Sequence, residues 1–364
     1  MRIAQIAPLM ESVPPKMYGG TERIVHFVTE ELVKLGLDVT LFASGDSITD
    51  AELVACTPRA LRLEPGVRDV IPHYMLMLDQ VFRRADEFDI FHFHIDQLHF
   101  PLFRKLGHRT LTTLHGRQDM PDLLALYDGF THMPLVSISM DQRKPIRKAN
   151  FVANIPHGLP VDMLPLVANP RGGYLAFLGR IAPEKRPDRA IEIANALGMP
   201  LKIAAKVDRV DADYFREQIH PMIEASPHVE FIGEINEQQK SQFVGEASAV
   251  LFPIDWPEPF GLVMIEAMSC GTPVVAFRCG SVPEVMEDGV TGAIVDTVEE
   301  AIAAVPGVLS LDRRKIRRVF EQRFSATRMA KDYVSVYERL LSDSANGTER
   351  RAPISESGIP VAAG

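Results

Sequence analysis

The chain has 364 residues, 46% of them hydrophobic and 24% charged, which is ordinary globular composition with apolar material for two cores. Collagen, coiled-coil and wholly disordered classes are excluded. Thirty-nine Lys and Arg stand against 48 Asp and Glu, a net charge of −9, which argues against nucleic acid as a partner because phosphate backbones call for a basic surface.

Short apolar runs alternate with helical patterns along most of the chain, the signature of parallel βαβ units. In the first half the pattern predicts strands at 2–7, 38–43, 89–93, 110–114, 135–138 and 151–155, with helices at 21–35 and 72–85 among them. In 21–35 the apolar residues Ile24, Val25, Phe27, Val28, Leu32 and Leu35 form one broad face, and Gly36 stops the helix. The rhythm pauses over 159–173, where Pro160, Pro165, Pro170, Gly172 and Gly173 read as a linker. It restarts with strands at 174–178, 201–205, 229–232, 249–252, 273–276 and 293–295. Helices are predicted between them at 187–196, 212–223, 238–246, 262–268 and 298–304, then at 311–320 and 326–341. The expected fold is α/β, with two doubly wound parallel-sheet domains in tandem. Residues 343–364, rich in Ser, Gly, Pro and charge, are expected to be disordered.

Cys56, Cys270 and Cys279 have neither zinc-site nor disulfide-framework spacing. A reducing cytoplasm is the simplest compartment. The N-terminus lacks a signal-peptide pattern, and no apolar run reaches the ~18 residues that span a bilayer. The basic runs 313–318 and 143–148 read as solvated faces, with peripheral membrane contact as the minority reading. Asp211 and Asp213 read as a helix start rather than a metal motif.

In open α/β sheets ligands bind at the carboxyl ends of strands, so loops that follow strands carry the search. The strongest is Asp255-Trp-Pro-Glu258-Pro-Phe-Gly261-Leu-Val-Met-Ile-Glu266. Two prolines stiffen the loop, Gly261 opens a helix, and the N–H groups of Phe260, Gly261 and Leu262 would form an anion site. Glu266 lies roughly 6 Å along the helix from Leu262, at 1.5 Å per residue. A diphosphate there would have Glu258 on one side and Glu266 on the other, which suits a nucleotide sugar. The competing reading makes Glu266 an exposed helix residue and Glu258 a partner of the helix dipole. Arg180 and Lys185, in Gly179-Arg-Ile-Ala-Pro-Glu-Lys185, follow another strand and can reach the same phosphates. Gly19 and Gly20 open the first long helix and permit close backbone approach, but the loop does not match G-x-G-x-x-G. His115 ends a strand on the interdomain side, whereas His92 and His94 read as satisfied core histidines.

These residues resemble a known family. Glu258-Pro-Phe-Gly-Leu-Val-Met-Ile-Glu266, followed by Gly271-Thr-Pro-Val-Val and Gly280-Ser-Val-Pro-Glu284, is similar to retaining glycosyltransferases of family 4, group 1, which have the GT-B fold. Gly179-Arg180 with Glu184-Lys185 matches the family's diphosphate motif, and Gly19-Gly20 its N-terminal loop. The resemblance implies an acceptor-side Rossmann-like domain over 1–165, a nucleotide-sugar domain over 166–325, a cleft between them and a returning helix over 326–342. It implies that Glu258 and His115 serve the reacting sugar and that Arg180, Lys185, Gly19, Gly20, Phe260, Gly261 and Leu262 hold the diphosphate. Glu266 would hold the ribose, and Ile232 and Gly233 would present backbone to the base.

No cofactor and no metal is implied. The expected reaction is transfer of a hexose, from a UDP-sugar by preference, to a hydroxyl acceptor: a small molecule, an oligosaccharide or a lipid-linked sugar. Three positions depart from the family pattern. Arg186 stands where glycine is usual, Ala204-Ala205-Lys206 replaces a glycine-rich turn, and His157-Gly158 replaces Asn-Gly. Two other classes stay open: an NAD-dependent oxidoreductase, against which the missing G-x-G-x-x-G counts, and a catalytically silent nucleotide-sugar-binding protein.

Overall fold

The structure, a computed structural model, describes residues 1–16 and 19–345. In the first half, β1 (Arg2–Ile6), β2 (Asp38–Ser44), β3 (Glu52–Thr57), β4 (Ile90–Phe93), β5 (Thr110–Thr113), β6 (Leu135–Ser137) and β7 (Phe151–Asn154) alternate with α1 (Gly20–Lys34), α2 (Ile71–Arg83), α3 (Phe100–Phe103) and α4 (Pro121–Gly129). The second half has β8 (Leu175–Ile181), β9 (Leu201–Val207), β10 (Val229–Gly233), β11 (Ala249–Phe252), β12 (Val274–Phe277) and β13 (Gly292–Val295). Its helices are α5 (Pro187–Leu197), α6 (Ala212–Tyr214), α7 (His220–Glu224), α8 (Glu237–Gly245), α9 (Leu262–Ser269), α10 (Val282–Val285), α11 (Val298–Val308), α12 (Arg313–Arg323) and α13 (Ala326–Ala345).

All strand pairs are parallel. The orders are β3-β2-β1-β4-β5-β6-β7 and β10-β9-β8-β11-β12-β13. Each sheet therefore reverses direction beside its first strand, between β1 and β4 and between β8 and β11. The loops leaving those four strands are where a ligand crevice forms. Central strands are buried on both faces because helices cover both, so Ala249–Phe252 and Val274–Phe277 read as unbroken apolar runs.

Two departures from the predicted elements have a local cause. The edge strand β3 has no counterpart among the predicted strands, because it is half-exposed and mixes Glu52, Ala55 and Cys56 into the run. The helix predicted at 212–223 is interrupted by a π-turn over Phe215–Ile219. Pro221 follows, without the N–H that would close an α-turn there. The last helix runs on to Ala345, past the predicted start of the tail, and the rest of that tail lies outside the described residues.

The linker begins at a crossing point. The Leu159 N–H donates to the Phe324 carbonyl (2.9 Å) and the Ala326 N–H to the Leu159 carbonyl (2.8 Å). There α13 turns back across the first sheet, packs on α1 and buries Tyr333 and Tyr337 completely. One hydrophobic cluster runs through both halves, from Ile3 and Ile90 through Phe260 and Ile265 to Tyr337. The halves also meet through hydrogen bonds. Ser139 Oγ donates to the Pro259 carbonyl (2.7 Å), and the N–H groups of Met140 and Asp141 each donate to the Glu284 carboxylate at 2.7 Å. No helix of the described residues is long and apolar enough to cross a membrane.

Candidate active site

The segments that follow β1, β5, β8 and β11 line a cleft of about 420 Å³. Gly19, Gly20 and His115 line it from the first half. Arg180, Lys185, Glu258, Phe260, Gly261, Leu262 and Glu266 line it from the second. The structure thus brings together most of the residues singled out in the sequence.

The loop from β11 to α9 is set by glycine. Gly261 has φ +79°, and a Cβ there would lie 2.8 Å from Met264 Cε and 3.0 Å from Phe252 Cζ. That left-handed residue lets α9 start at Leu262 with its first N–H groups facing the cleft without a preceding turn. Ser281 Oγ holds the Phe260 carbonyl at 2.8 Å, and the Ser281 N–H holds the Glu258 carbonyl at 3.0 Å. Gly280, at φ +56°, lies so close that a Cβ would collide with the Glu258 backbone.

Glu258 is largely buried and paired. Its Oε2 accepts from Lys185 Nζ and, at 3.0 Å, from the Trp256 indole N–H. Lys185 Nζ also sits 4.7 Å from the centre of the Trp256 ring. Arg180 points one guanidinium nitrogen at Glu184 (3.1 Å) and another at Asp208 (3.5 Å), with Asp211 at 4.0 Å. Both cations are held by carboxylates. Arg186, in place of the usual glycine, takes φ 53° and is held in that left-handed conformation by Asp188 (2.7 Å) and Asp255 (2.9 Å).

Glu266 is 3% exposed, which removes the reading of it as an exposed helix residue. Its Oε1 binds Lys240 Nζ at 2.7 Å, Lys240 binds Glu237 at 2.7 Å, and Glu237 pairs with Arg23 on α1 across the cleft. Lys240, Glu237 and Arg23 line the site with Lys206 and were absent from the sequence reading. Lys240 and Glu237 come from α8 and Arg23 from α1, so no local motif announces the three together.

The base-side expectation needs correction. Ile232 lines a separate hollow with Tyr174 and Lys202, and neither it nor Gly233 is among the residues lining the main cleft. The next two residues, Glu234 and Ile235, do line it. The alternation of β10 turns Ile232 outward, at 36% exposure, and Gly233 breaks the strand register with φ +77° before the chain enters the cleft.

His115 forms the floor of the first half's side. Its Nε2 lies 2.9 Å from His94 Nδ1, and its ring stacks on His157 at 5.2 Å between centres. Burial holds the His115 imidazole far below the usual range, at about 3, so it is uncharged at neutral pH. His92 and His94 are buried, hydrogen-bonded core residues, as the sequence suggested. Asp96, just beyond β4 at the switch point, takes a left-handed φ of 49°.

The basic run 313–318 is not simply a solvated face. Arg313 is 8% exposed and donates to the carbonyls of Gly245 (3.0 Å) and Ala247 (3.1 Å), while Arg317 donates to those of Leu164 (2.8 Å) and Ser269 (2.6 Å). These arginines tie α12 to the end of α8, to α9 and to the linker. Among the described residues no group of three or more His, Cys, Asp or Glu is arranged to hold a metal ion.

Comparison with known proteins places this geometry. The family model Glycosyltransferase Family 4 matches residues 18–149, and Glycosyl transferases group 1 matches residues 165–323. The chain is 30% identical over 204 residues to a D-inositol 3-phosphate glycosyltransferase of Mycolicibacterium smegmatis, covering 51% of this chain and 42% of that protein. It therefore spans less than half the length of the first curated relatives it matches. A phosphatidyl-myo-inositol mannosyltransferase of Mycobacterium leprae is 25% identical over 351 residues, 87% of this chain and 89% of that protein. Among solved structures, Anabaena HepE in complex with UDP and glucose superimposes with a TM-score of 0.70 at 18% identity, over 93% of this chain and all of that one. Two facing parallel sheets, the Glu258–Glu266 loop and helix, and two family models that together run from residue 18 to 323 lead to one assignment: the chain belongs to the group 1 glycosyltransferases of family 4, with the GT-B fold.

Proposed function

We propose that the cleft transfers a hexose from a nucleoside-diphosphate sugar, a UDP-sugar by preference, to a hydroxyl acceptor, with retention at the anomeric carbon and without a metal ion. The observation that carries this reading is the convergence of the α9 N-terminus, Arg180 and Lys185 on one cleft with a glutamate on either side. Breaking a sugar–diphosphate bond puts negative charge on the leaving group and positive character on the sugar ring. Helix N–H groups and two cations are placed for the former, and Glu258 for the latter. The leaving diphosphate draws Lys185 from Glu258, which frees that carboxylate for sugar hydroxyls. Burial keeps His115 uncharged, so it adds no cation to the diphosphate side. The solved relative holds UDP and glucose, and the curated relatives are named for inositol phosphate and phosphatidyl-myo-inositol. Inositol-based acceptors are therefore the first to try.

A thermal-shift panel of UDP-, GDP- and ADP-hexoses identifies the donor. Product anomeric coupling by NMR then reads the stereochemistry, and assay in excess EDTA reads the metal requirement. An inverted product, or loss of activity in EDTA with rescue by Mg²⁺ or Mn²⁺, overturns those parts of the reading. The two glutamates are expected to fail differently. Glu258→Gln lowers kcat and kcat/KM together and leaves affinity for the free nucleoside diphosphate unchanged, because that ligand has no sugar to lose. Glu266→Gln weakens that affinity about tenfold, the loss of a charged hydrogen bond. Calorimetry beside steady-state kinetics separates them, with melting curves to confirm that both variants fold.

A further inference from the structure

We propose that Gln5 and His94 are positioning residues that lock His115 in a single neutral tautomer, with Nε2 protonated and Nδ1 a bare acceptor for a sugar hydroxyl. The identity of that hydroxyl rests on the function proposed above; the tautomer does not.

Gln5 on β1 pairs in register with His92 on β4, and His94 follows two residues later on the same side of the chain. The Gln5 carbonyl Oε1 lies 2.8 Å from His94 Nε2, so that nitrogen carries the proton and donates. A neutral imidazole has one N–H. His94 Nδ1 must then accept, and the atom 2.9 Å away that donates to it is His115 Nε2. His115 Nδ1 is left unprotonated, buried and without a partner in the protein. The ring stacked against it, His157, also keeps a buried Nδ1 without a partner.

The far end of the network fits this order. The Gln5 amide NH₂ donates to the Tyr337 hydroxyl (3.3 Å), and Tyr337 donates to His92 Nδ1 (2.7 Å). His92 Nε2 donates to Thr113 Oγ1 (2.8 Å), which lies 2.9 Å from the Tyr333 hydroxyl. The reverse order would leave a buried N–H on His115 unpaired, which folded proteins avoid more strictly than an unpaired acceptor. Burial disfavours the charged forms of His92, His94, His115 and His157, and neighbouring histidines add to this for His92, His94 and His157, so the network stays uncharged. A bare imidazole nitrogen attracts a hydroxyl proton and repels phosphate oxygen. The network therefore assigns His115 to the sugar and excludes it from the diphosphate.

The test is long-range ¹H–¹⁵N NMR of the full chain labelled at histidine nitrogens, without ligand. The expected spectrum shows His115 protonated at Nε2, with Nδ1 at an unprotonated shift that does not move between pH 5 and 8. A proton on Nδ1, or titration in that range, overturns the proposal. Gln5→Glu keeps the acceptor and the tautomer. Gln5→Leu removes it and yields a tautomer mixture, with turnover down about tenfold, the value of one neutral hydrogen bond, and nucleoside diphosphate affinity unchanged. A Gln5→Leu spectrum identical to wild type overturns the positioning role; if that variant does not fold, Gln5→Glu and the wild-type spectrum decide. Adding the donor found on the nucleotide-sugar panel should shift Nδ1, and UDP should not. The opposite pattern overturns hydroxyl recognition. A panel on which no nucleotide sugar binds, beside the expected tautomer, overturns the proposed function and not the lock.

Discussion

Asp96 and Trp256 show how much single side chains can report, one on stability and one on the site. Burial pushes the Asp96 carboxyl up to about 6, above its ordinary value of ~3.9. Because the folded-state value is raised, the folded chain keeps a proton that the unfolded chain has lost between about pH 4 and 6, and stability falls as pH rises through that window. Asp96→Asn should leave the melting temperature unchanged near pH 3.5 and raise stability by about 1–3 kcal/mol at pH 7.5. Equal gains at both pH values would show that ionisation is not the source. Trp256 is the single tryptophan, and Lys185 lies against its ring while both donate to Glu258. A diphosphate that draws Lys185 away removes a cation from the ring face. Titration with UDP should change the intrinsic fluorescence, and Lys185→Ala should abolish the change while binding measured by calorimetry weakens. A signal that survives Lys185→Ala would place its origin elsewhere.

At the scale of elements, the site depends on turns more than on helices. Gly280 is close enough to the Glu258 backbone that any side chain must push the loop between β11 and α9 out of place. Gly280→Ala should cost about 1–3 kcal/mol through its left-handed backbone and the collision. It should also lower turnover more than Gly36→Ala, whose Cβ would meet open space. Melting curves with kinetics for both variants check this; equal turnover in the two would separate Gly280 from Glu258. The same scale explains what was legible in the sequence. Strands buried on both faces announce themselves as apolar runs, and loops that follow them carried Arg180, Lys185, Glu258 and Glu266 into view. The edge strand β3 and the π-turn after Tyr214 were not legible, because one lacks the burial and the other the regular period that pattern reading uses. Lys240, Glu237 and Arg23 were not legible because a salt-bridge chain drawn from α8 and α1 exists only once the two halves meet. Ile232 shows the limit of motif transfer: it lies outside the main cleft, and the residues of that strand end that line it are Glu234 and Ile235.

In the whole molecule the two sheets are joined by few directional contacts. Glu284 accepts the N–H groups of Met140 and Asp141, and Ser139 holds the loop at Pro259. Glu284→Ala should loosen the cleft, at a cost of about 1–2 kcal/mol for partly exposed charged hydrogen bonds. Small-angle scattering should record a larger radius of gyration that contracts on donor binding. An unchanged profile would mean that the Glu284 contacts do not set the domain angle. The returning helix α13 has a consequence for biogenesis. Tyr337 completes a buried network that begins at Gln5, 332 residues earlier. At roughly 5–20 residues per second, the ribosome delivers the second partner some 15–70 s after the first. During that interval the nascent first sheet holds Gln5, His92 and Thr113 with their final partners still unmade, so the half of the chain born first is the half whose core is sealed last.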